Sequence, residues 1–368
     1  MLTLRDYQEE CLGACAAAAR KGIKRMLVAL PTGTGKTVIF SQLPTMIKNQ
    51  RRMLVVAHRE ELLDQAAGQI RLANSDLTVG VEQAEQHALP SDRVIVASIQ
   101  TLTVSPTRLE KLDPGSIAVI VVDEAHHATA KSYLKLWHRF NLAPDPTQRI
   151  VRASQEEYFA SFTPAASAPA LIGFTATPNR TDSIGLEAVF DEIAFSRTIE
   201  DMMKAGWLCK ITGKRVETTE NIAGVKTSHG DYQEGQLSEA VNTPERNALA
   251  VQSYLALAPG RQALCFCVDV AHTEAVCREF QAAGVSAEFV IGETPKDLRH
   301  DTIDNYRSGR TAVLCNCMVL TEGFDAPETS CIIMARPTKS SLLYTQMLGR
   351  GTRLAPGKDS LLVIDLVD

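Results

Sequence analysis

The stretch Met26-Leu27-Val28-Ala29-Leu30-Pro31-Thr32-Gly33-Thr34-Gly35-Lys36-Thr37 decides the fold. Its apolar start predicts a buried strand, and the glycine-rich turn before Lys36 predicts the beginning of a helix. Glycine adopts backbone angles that turn N–H groups around phosphate oxygens, so residues 32–35 predict a phosphate cradle. Lys36 supplies positive charge for the β and γ phosphates, and the Thr37 hydroxyl suits Mg²⁺. The general motif has glycine where this chain has Leu30.

Short β-branched runs alternate with longer helical stretches along most of the chain. This rhythm is typical of mainly parallel sheets flanked by helices, the α/β class. The predicted strands are Met26–Leu30, Met53–Ala57, Val94–Ala97, Ile117–Val122 and Leu171–Phe174, and then Gln262–Val268, Ala287–Ile291, Ala312–Asn316, Cys331–Ala335 and Leu361–Ile364. A chain of 368 residues is long enough for two domains. We place them at residues 1–198 and 199–368.

Two regions interrupt this alternation. The periodicity weakens between Ser196 and Glu234, which predicts a linker there. Residues 141–169 are rich in Ala, Pro and Ser between two strands that should be near neighbours. We interpret them as a tolerated surface insertion, with a loop that touches nucleic acid or a partner as the alternative.

The bulk composition excludes several classes of protein. Hydrophobic residues make up 45% of the chain, and no apolar run approaches the roughly 18 to 20 residues of a membrane span. The N-terminus lacks a secretory signal, so we expect a cytoplasmic protein without a membrane partner. The net charge of -5 confines any nucleic-acid footprint to a local groove. Nine cysteines lie mostly in apolar runs, which predicts buried thiols rather than disulfides or zinc pairs.

A pair of carboxylates follows the strongly apolar strand at residues 117–122. In Val121-Val122-Asp123-Glu124-Ala125-His126 they lie at the strand end where open α/β sheets bind ligands. Asp123 can hold Mg²⁺, and Glu124 is placed to deprotonate the water that attacks a γ phosphate. Such a pair alone is more often a solvated strand end, but the phosphate loop about 90 residues earlier favours catalysis.

These segments resemble the DEAD/DEAH-type superfamily 2 helicases, in particular their DNA-repair and restriction-type members. Leu4-Arg5-Asp6-Tyr7-Gln8 resembles the adenine-reading motif, with Gln8 on the base. Residues 57–62 and 98–102 resemble segments that contact nucleic acid, which implies contacts from His58, Arg59 and Thr101. Thr175-Ala176-Thr177-Pro178 resembles motif III, which implies that Thr175, Thr177 and His126 couple the state of ATP to grip on the strand.

Two further segments of the second half match the same family. Gln346-Met347-Leu348-Gly349-Arg350-Gly351-Thr352-Arg353 resembles motif VI, and its two arginines lie on one helical face. The resemblance implies that Gln346, Arg350 and Arg353 are catalytic, with both arginines as arginine-finger candidates. Residues 321–327 resemble motif V, where Thr321 would contact nucleic acid and Asp325 the ATP ribose. Residues 266–269 with His272 resemble motif IV and give no site residues.

The resemblance implies two tandem RecA-like domains with an ATP site in the cleft between them, and ATP and Mg²⁺ as cofactors. The resemblance also implies that the protein is an ATP-dependent motor, a helicase or translocase moving along nucleic acid. DNA is favoured over RNA because residues 321–327 and 346–353 are more similar to the DNA-acting members. The alternatives are an ATP-gated clamp or remodelling switch without unwinding, an RNA helicase, and a small-molecule kinase, which the arginine pair disfavours. An accessory protein or domain is compatible with any of them.

Overall fold

The computed structural model of the chain describes residues 3–47, 49–145, 162–177, 185–228, 230–321 and 323–367. Its contacts divide the chain into two compact units, one of residues 1–31 with 35–198 and the other of residues 32–34 with 199–368. Most of the predicted insertion at 141–169, together with Pro178 and Glu322, lies outside the described residues.

The first unit is built on a seven-stranded sheet. Its strands are β1 Arg25–Ala29, β2 Arg52–Ala57, β3 Val79–Glu82, β4 Val94–Ser98, β5 Ile117–Val122, β6 Ala170–Thr175 and β7 Glu192–Ser196. They lie in the order β3-β4-β2-β5-β6-β1-β7, and every pair is parallel. The helices are α1 Asp6–Arg20, α2 Lys36–Phe40, α3 Leu43–Met46, α4 Glu60–Ala73, α5 Ile99–Val104, α6 Pro106–Lys111 and α7 Lys131–Arg139.

The core of this unit lies on both faces of the central strands. All residues of β1 and β4 are buried, as the continuous apolar runs require of a strand covered by helices on both sides. Arg25 at the start of β1 is only 2% exposed, and its guanidinium pairs with Asp191 and donates to the Leu142 carbonyl. A buried guanidinium needs such partners, so this pair joins the entry of β1 to the segment before β7.

The second unit contains a six-stranded sheet and a small hairpin. Its strands are β8 Lys210–Glu217, β9 Thr227–Ser228, β10 Asp231–Tyr232, β11 Ala263–Phe266, β12 Ala287–Val290, β13 Val313–Asn316, β14 Cys331–Met334 and β15 Ser360–Val367. The sheet has the order β12-β13-β11-β14-β15-β8 with parallel pairs throughout, and β9 pairs antiparallel with β10. The helices are α8 Ile199–Lys204, α9 Glu234–Val241, α10 Pro244–Leu257, α11 Val270–Ala282, α12 Lys296–Arg307 and α13 Ser341–Gly349.

All ten predicted strands are confirmed, but the predicted linker is not simply a linker. Residues 196–234 include β8, which pairs in parallel with β15 along eight residues and closes one edge of the second sheet. The strand was missed because most of its side chains are exposed, so its sequence carries no apolar pattern.

The cysteines are free thiols, and all except Cys317 are buried, as predicted. Among the described residues, no helix combines the length and the apolar character that crossing a membrane requires.

Candidate functional site

Five of the predicted segments begin where parallel strands of the first sheet end. Parallel strands have their carboxyl ends at one edge of a sheet, which is where ligands of open α/β sheets bind. In sheet order, the segments begin at the last residue of β4 (98), at the last residue of β2 (57), just after β5 (123), at the last residue of β6 (175) and just after β1 (31). The two segments predicted to contact nucleic acid are therefore neighbours, and the acidic pair lies between them and the phosphate loop.

The phosphate loop has the backbone that its sequence predicts. Gly33 and Gly35 have φ angles of +85° and +76°, in the left-handed region that glycine enters at little cost. Helix α2 begins at Lys36, which is 9% exposed and donates from Nζ to the Leu30 carbonyl at 3.3 Å. The loop, the helix start and the lysine form an arrangement that suits phosphate groups.

Leu30 departs from the general motif without disturbing this loop. Its φ is not among the positive values of the described chain, so the position does not require glycine. The Leu30 N–H donates to the carbonyl of Thr175 at 2.9 Å. This bond joins the residue before the phosphate loop to the predicted motif III.

Gln8 lies against the phosphate loop and is only 4% exposed. Its Oε1 accepts the Arg5 N–H at 3.0 Å, which fixes the side chain. A Cβ placed on Gly35 would come within 2.8 Å of Gln8 Nε2. The structure thus brings Gln8 to the loop, and its contact with the adenine base stays a prediction.

The acidic pair is held by an unusual backbone. Asp123 and Glu124 are 8% and 5% exposed, and Glu124 has a left-handed conformation with φ +50° and ψ +54°. The Glu124 N–H donates to Asp123 Oδ1 at 3.0 Å, and the Asp123 N–H donates to the Val56 carbonyl at 3.3 Å. Left-handed non-glycine residues are uncommon and concentrate at functional sites. A buried carboxylate at a strand end also fits a Mg²⁺ ligand.

Three histidine rings lie in contact with one another beside this acidic pair. His126 is 4% exposed, and its Nδ1 lies 3.4 Å from Glu124 Oε2. The ring centroid of His127 lies 4.1 Å from that of His126 and 4.2 Å from that of His58. The sequence predicts roles for His126 and His58 but none for His127, because the doubled histidine gives no signal by itself.

Two of the predicted threonines, Thr175 and Thr101, use their hydroxyls in hydrogen bonds to the backbone of the first unit. Thr175 Oγ1 donates to the Thr177 carbonyl at 3.1 Å and lies 3.2 Å from the Thr177 nitrogen, whose N–H it accepts. Thr101 Oγ1 accepts the Ala84 N–H at 3.3 Å. Arg59 is the half-buried residue just before α4. These bonds shape the loops at the sheet edge, and contacts of these residues with nucleic acid stay predictions.

In the second unit, Arg350 forms hydrogen bonds to backbone carbonyls in the loop of the predicted motif V. It is 8% exposed and donates to the Thr321 carbonyl from Nε at 3.1 Å and Nη2 at 2.6 Å. Its Nη1 donates to the Phe324 carbonyl at 2.6 Å. Thr321 is 2% exposed and donates its hydroxyl to the Met318 carbonyl at 2.8 Å. Gly323, with φ +72°, allows the tight turn between the two carbonyls that Arg350 binds.

Arg353 is placed differently from Arg350. Its guanidinium forms an ion pair with Asp325, and the two side chains are 39% and 43% exposed. Gln346 lies on α13 and is 6% exposed. The predicted shared helical face of the two arginines is wrong, because α13 ends at Gly349 and Arg353 lies beyond it. The sequence predicts one role for both arginines, whereas the structure commits Arg350 to backbone carbonyls and leaves Arg353 at the surface in a pair with another predicted ATP contact.

His272, in the segment that resembles motif IV, is a core residue. It is 1% exposed, and its Nδ1 accepts the Val268 N–H at 3.2 Å. Burial, together with the nearby positive charge of Arg246, lowers the pKa of His272 from 6.5 to about 4. The imidazole is therefore neutral in the folded protein at physiological pH.

The two units match two different family models. Residues 1–180 match the model described as "Type III restriction enzyme, res subunit", and residues 246–355 match "Helicase conserved C-terminal domain". The chain belongs to the superfamily 2 helicases.

Individual relatives agree with this placement. The chain is 35% identical over 376 residues to "Putative ATP-dependent helicase IRC3" of Saccharomyces cerevisiae, covering 99% of the chain but 51% of that relative. It is 22% identical over 400 residues to "DNA 3'-5' translocase XPB2" of Sulfurisphaera tokodaii, covering 98% of the chain and 81% of that protein. The chain thus spans about half the length of the yeast relative.

A solved structure shows the same fold. It is "The fragment structure of a putative HsdR subunit of a type I restriction enzyme from Vibrio vulnificus YJ016". The TM-score is 0.73 at 20% identity, over 100% of this chain and 64% of that one. Each unit of this superfamily 2 chain is accordingly a RecA-like domain, with a mainly parallel sheet flanked by helices.

Proposed function

We propose that the chain is an ATP-driven motor that moves along DNA, as a helicase or translocase. The observation that carries this proposal is the single sheet edge shared by the phosphate loop, the acidic pair and the two segments that resemble nucleic-acid contacts. DNA is favoured by the resemblance of residues 321–327 and 346–353. The relative named "DNA 3'-5' translocase XPB2" supports the same choice.

ATP would bind chiefly through its phosphates. The N–H groups of Thr32, Gly33, Thr34 and Gly35 would surround the phosphate oxygens, with Lys36 against the β and γ phosphates. Thr37 and Asp123 would hold Mg²⁺, which neutralises phosphate charge when bound. Gln8 would contact the adenine and Asp325 the ribose.

Hydrolysis would use Glu124 as the general base. It takes a proton from water as the water oxygen bonds to the γ phosphorus, while the bond to the bridging oxygen breaks and ADP leaves. His126, 3.4 Å from Glu124 Oε2, would keep this carboxylate in position. Glu124 and His126 are both buried. The low dielectric constant around buried groups strengthens the electrostatic interaction between them.

The second unit would contribute positive charge to the γ phosphate through Arg353. This role requires Arg353 to leave Asp325, and an ion pair at 39% and 43% exposure opens easily, since such pairs contribute about 0–1 kcal/mol. Arg350 and Gln346 would support this segment, with Arg350 fixing the loop that carries Asp325. ATP binding would then favour closure of the two units, and hydrolysis would reverse it.

Movement would come from alternating grips on the DNA backbone. His58, Arg59 and Thr101 would hold the strand from the first unit, and the segment at Thr321 from the second. Thr175 and Thr177 would pass the state of the phosphate loop to this grip, because the Leu30 N–H binds the Thr175 carbonyl.

Two displacement assays test the motor. One measures ATP-dependent release of a strand from a partial duplex, and the other measures release of a third strand from an intact duplex. The proposal expects release in at least one assay, with loss of release in Glu124→Gln. ATP-dependent DNA binding without release in either assay would contradict a motor and support a clamp.

A further inference from the structure

The three histidines of the first unit form a continuous contact between two segments that have different proposed roles. Glu124 belongs to the hydrolysis machinery, and His58 follows β2 in a segment that resembles a nucleic-acid contact. Between them, the rings of His126 and His127 lie 4.1 Å apart, and those of His127 and His58 lie 4.2 Å apart. His127 lies one residue beyond the Asp-Glu-Ala-His sequence.

The His127 ring is positioned by rigid structure. It ends the short 3₁₀ helix Ala125–His127, whose first residue follows the left-handed Glu124. The backbone N–H of His127 donates to the Glu124 carbonyl at 3.0 Å. A displacement of the His127 ring is therefore connected to the backbone of Glu124 as well as to the ring of His126.

The other end of the path is anchored to the neighbouring strand. The His58 carbonyl accepts a bond from Gln100 Nε2 at 2.8 Å, so the segments after β2 and β4 are tied at this residue. The Asp123 N–H also donates to the Val56 carbonyl, which joins β5 to β2 just before His58. A DNA backbone bound at residues 58–59 or 100–101 would directly contact the two segments that this hydrogen bond joins.

We infer that His127 is a positioning residue that couples DNA contact at His58 to the alignment of Glu124, through ring contacts with His58 and His126. This inference rests on the proposed function. Packed aromatic rings have a small set of preferred arrangements, so a shift of one ring favours a defined shift of the next. DNA on the His58 segment would thereby raise the fraction of Glu124 carboxylates aligned with the attacking water.

The test compares ATPase turnover with and without single-stranded and duplex DNA in six proteins: wild type, His127→Ala, His127→Phe, His58→Ala, the double variant His58→Ala/His127→Ala and a control, His138→Ala. The ratio of the two turnovers measures coupling. We expect His127→Ala to lower this ratio by at least about fivefold, the lower range of couplings between sites. His127→Phe keeps a flat ring and should restore most of the ratio. The exposed His138→Ala on α7 is the matched control and should keep the wild-type ratio.

A purely structural role for His127 makes different predictions. It would lower turnover in both conditions by the same factor and leave the ratio unchanged. In the double variant, coupling through one path predicts a ratio no lower than that of the worse single variant, whereas independent effects would multiply. If His127→Ala does not fold, His127→Gln, which has no ring, takes its place.

The experiment distinguishes failure of the proposed function from failure of the inference about His127. A wild-type ratio of one on every DNA would overturn the proposed function and this inference with it. A wild-type ratio above one that His127→Ala preserves would overturn the inference alone.

Discussion

The acidic edge of the first unit and the arginine segment of the second unit hold their functional side chains in different ways. Asp123 and Glu124 are oriented by backbone, through a left-handed residue and N–H bonds within and next to the pair. Arg350 and Arg353 are instead held by contacts with the loop at residues 321–325. The first arrangement is fixed before any ligand binds, whereas the second includes one exposed ion pair that must open for Arg353 to act.

This difference separates the two arginines that the sequence treats alike. Arg350 is buried with three donors on carbonyls, and Arg353 is partly exposed and forms an ion pair with one carboxylate. We therefore expect substitutions of Arg350 to affect folding and substitutions of Arg353 to affect turnover. Substitutions of Arg353, Glu124 and Arg350 test this comparison.

Arg353→Ala should have the largest effect on activity. Loss of an arginine finger lowers turnover by about 10³ to 10⁵. The melting temperature should stay close to wild type, because the lost ion pair is exposed. Steady-state ATPase and thermal unfolding measure the two effects, and Arg278→Ala, on an exposed helical face, is the control. Wild-type turnover would remove Arg353 from the reaction.

Glu124→Gln should block hydrolysis while ATP still binds. The general base is lost, which lowers the chemical rate by about 10² to 10⁴, but the Asp123 and Lys36 contacts persist. Single-turnover hydrolysis and binding of a fluorescent ATP analogue measure the two steps. Undiminished hydrolysis with tight binding would show that another group is the base.

Arg350→Ala should destabilise the second unit. It leaves the Thr321 and Phe324 carbonyls without their buried donor, which costs about 2–5 kcal/mol. Arg350→Lys should recover only part of this loss, because an ammonium cannot span both carbonyls as a guanidinium does. Chemical denaturation measures the free energy of unfolding. Wild-type stability combined with low turnover would instead make Arg350 a direct contact of the phosphate.

His272 should make the second unit sensitive to acid. Its pKa is about 4 in the folded protein against 6.5 ordinarily, so between these pH values the unfolded chain binds a proton that the folded chain does not. Stability is fully present above pH 6.5 and falls as the pH drops toward 4, by up to about 3 kcal/mol. Denaturation of wild type and His272→Gln across this range measures it, and equal slopes would contradict the assignment.

The sequence predicts the parts of the fold where burial leaves a pattern. The central strands read as apolar runs, and the phosphate loop and acidic pair follow two of them. The edge strands β3, β7 and β8 were missed because their side chains are largely half-buried or exposed, and pairing with a neighbour defines them instead. Spacing likewise predicted both arginines on one helical face, but α13 ends at Gly349, and Arg350 and Arg353 follow it with different partners.

The local contacts of the site also could not be predicted from the sequence. A doubled histidine at 126–127 carries no signal by itself, because its contact with His58 depends on the fold. His58 lies about 70 residues earlier in the chain and follows the neighbouring strand β2. Leu30 was a departure from the general motif in the sequence. In the structure its backbone simply does not need glycine.

The most direct test of the motor is ATPase turnover measured without nucleic acid and with single-stranded DNA, duplex DNA, single-stranded RNA and duplex RNA at equal nucleotide concentration. A DNA motor predicts a clear rise in turnover with at least one form of DNA and a smaller rise with RNA. Equal turnover in all five conditions would contradict the coupling of Glu124 chemistry to nucleic acid.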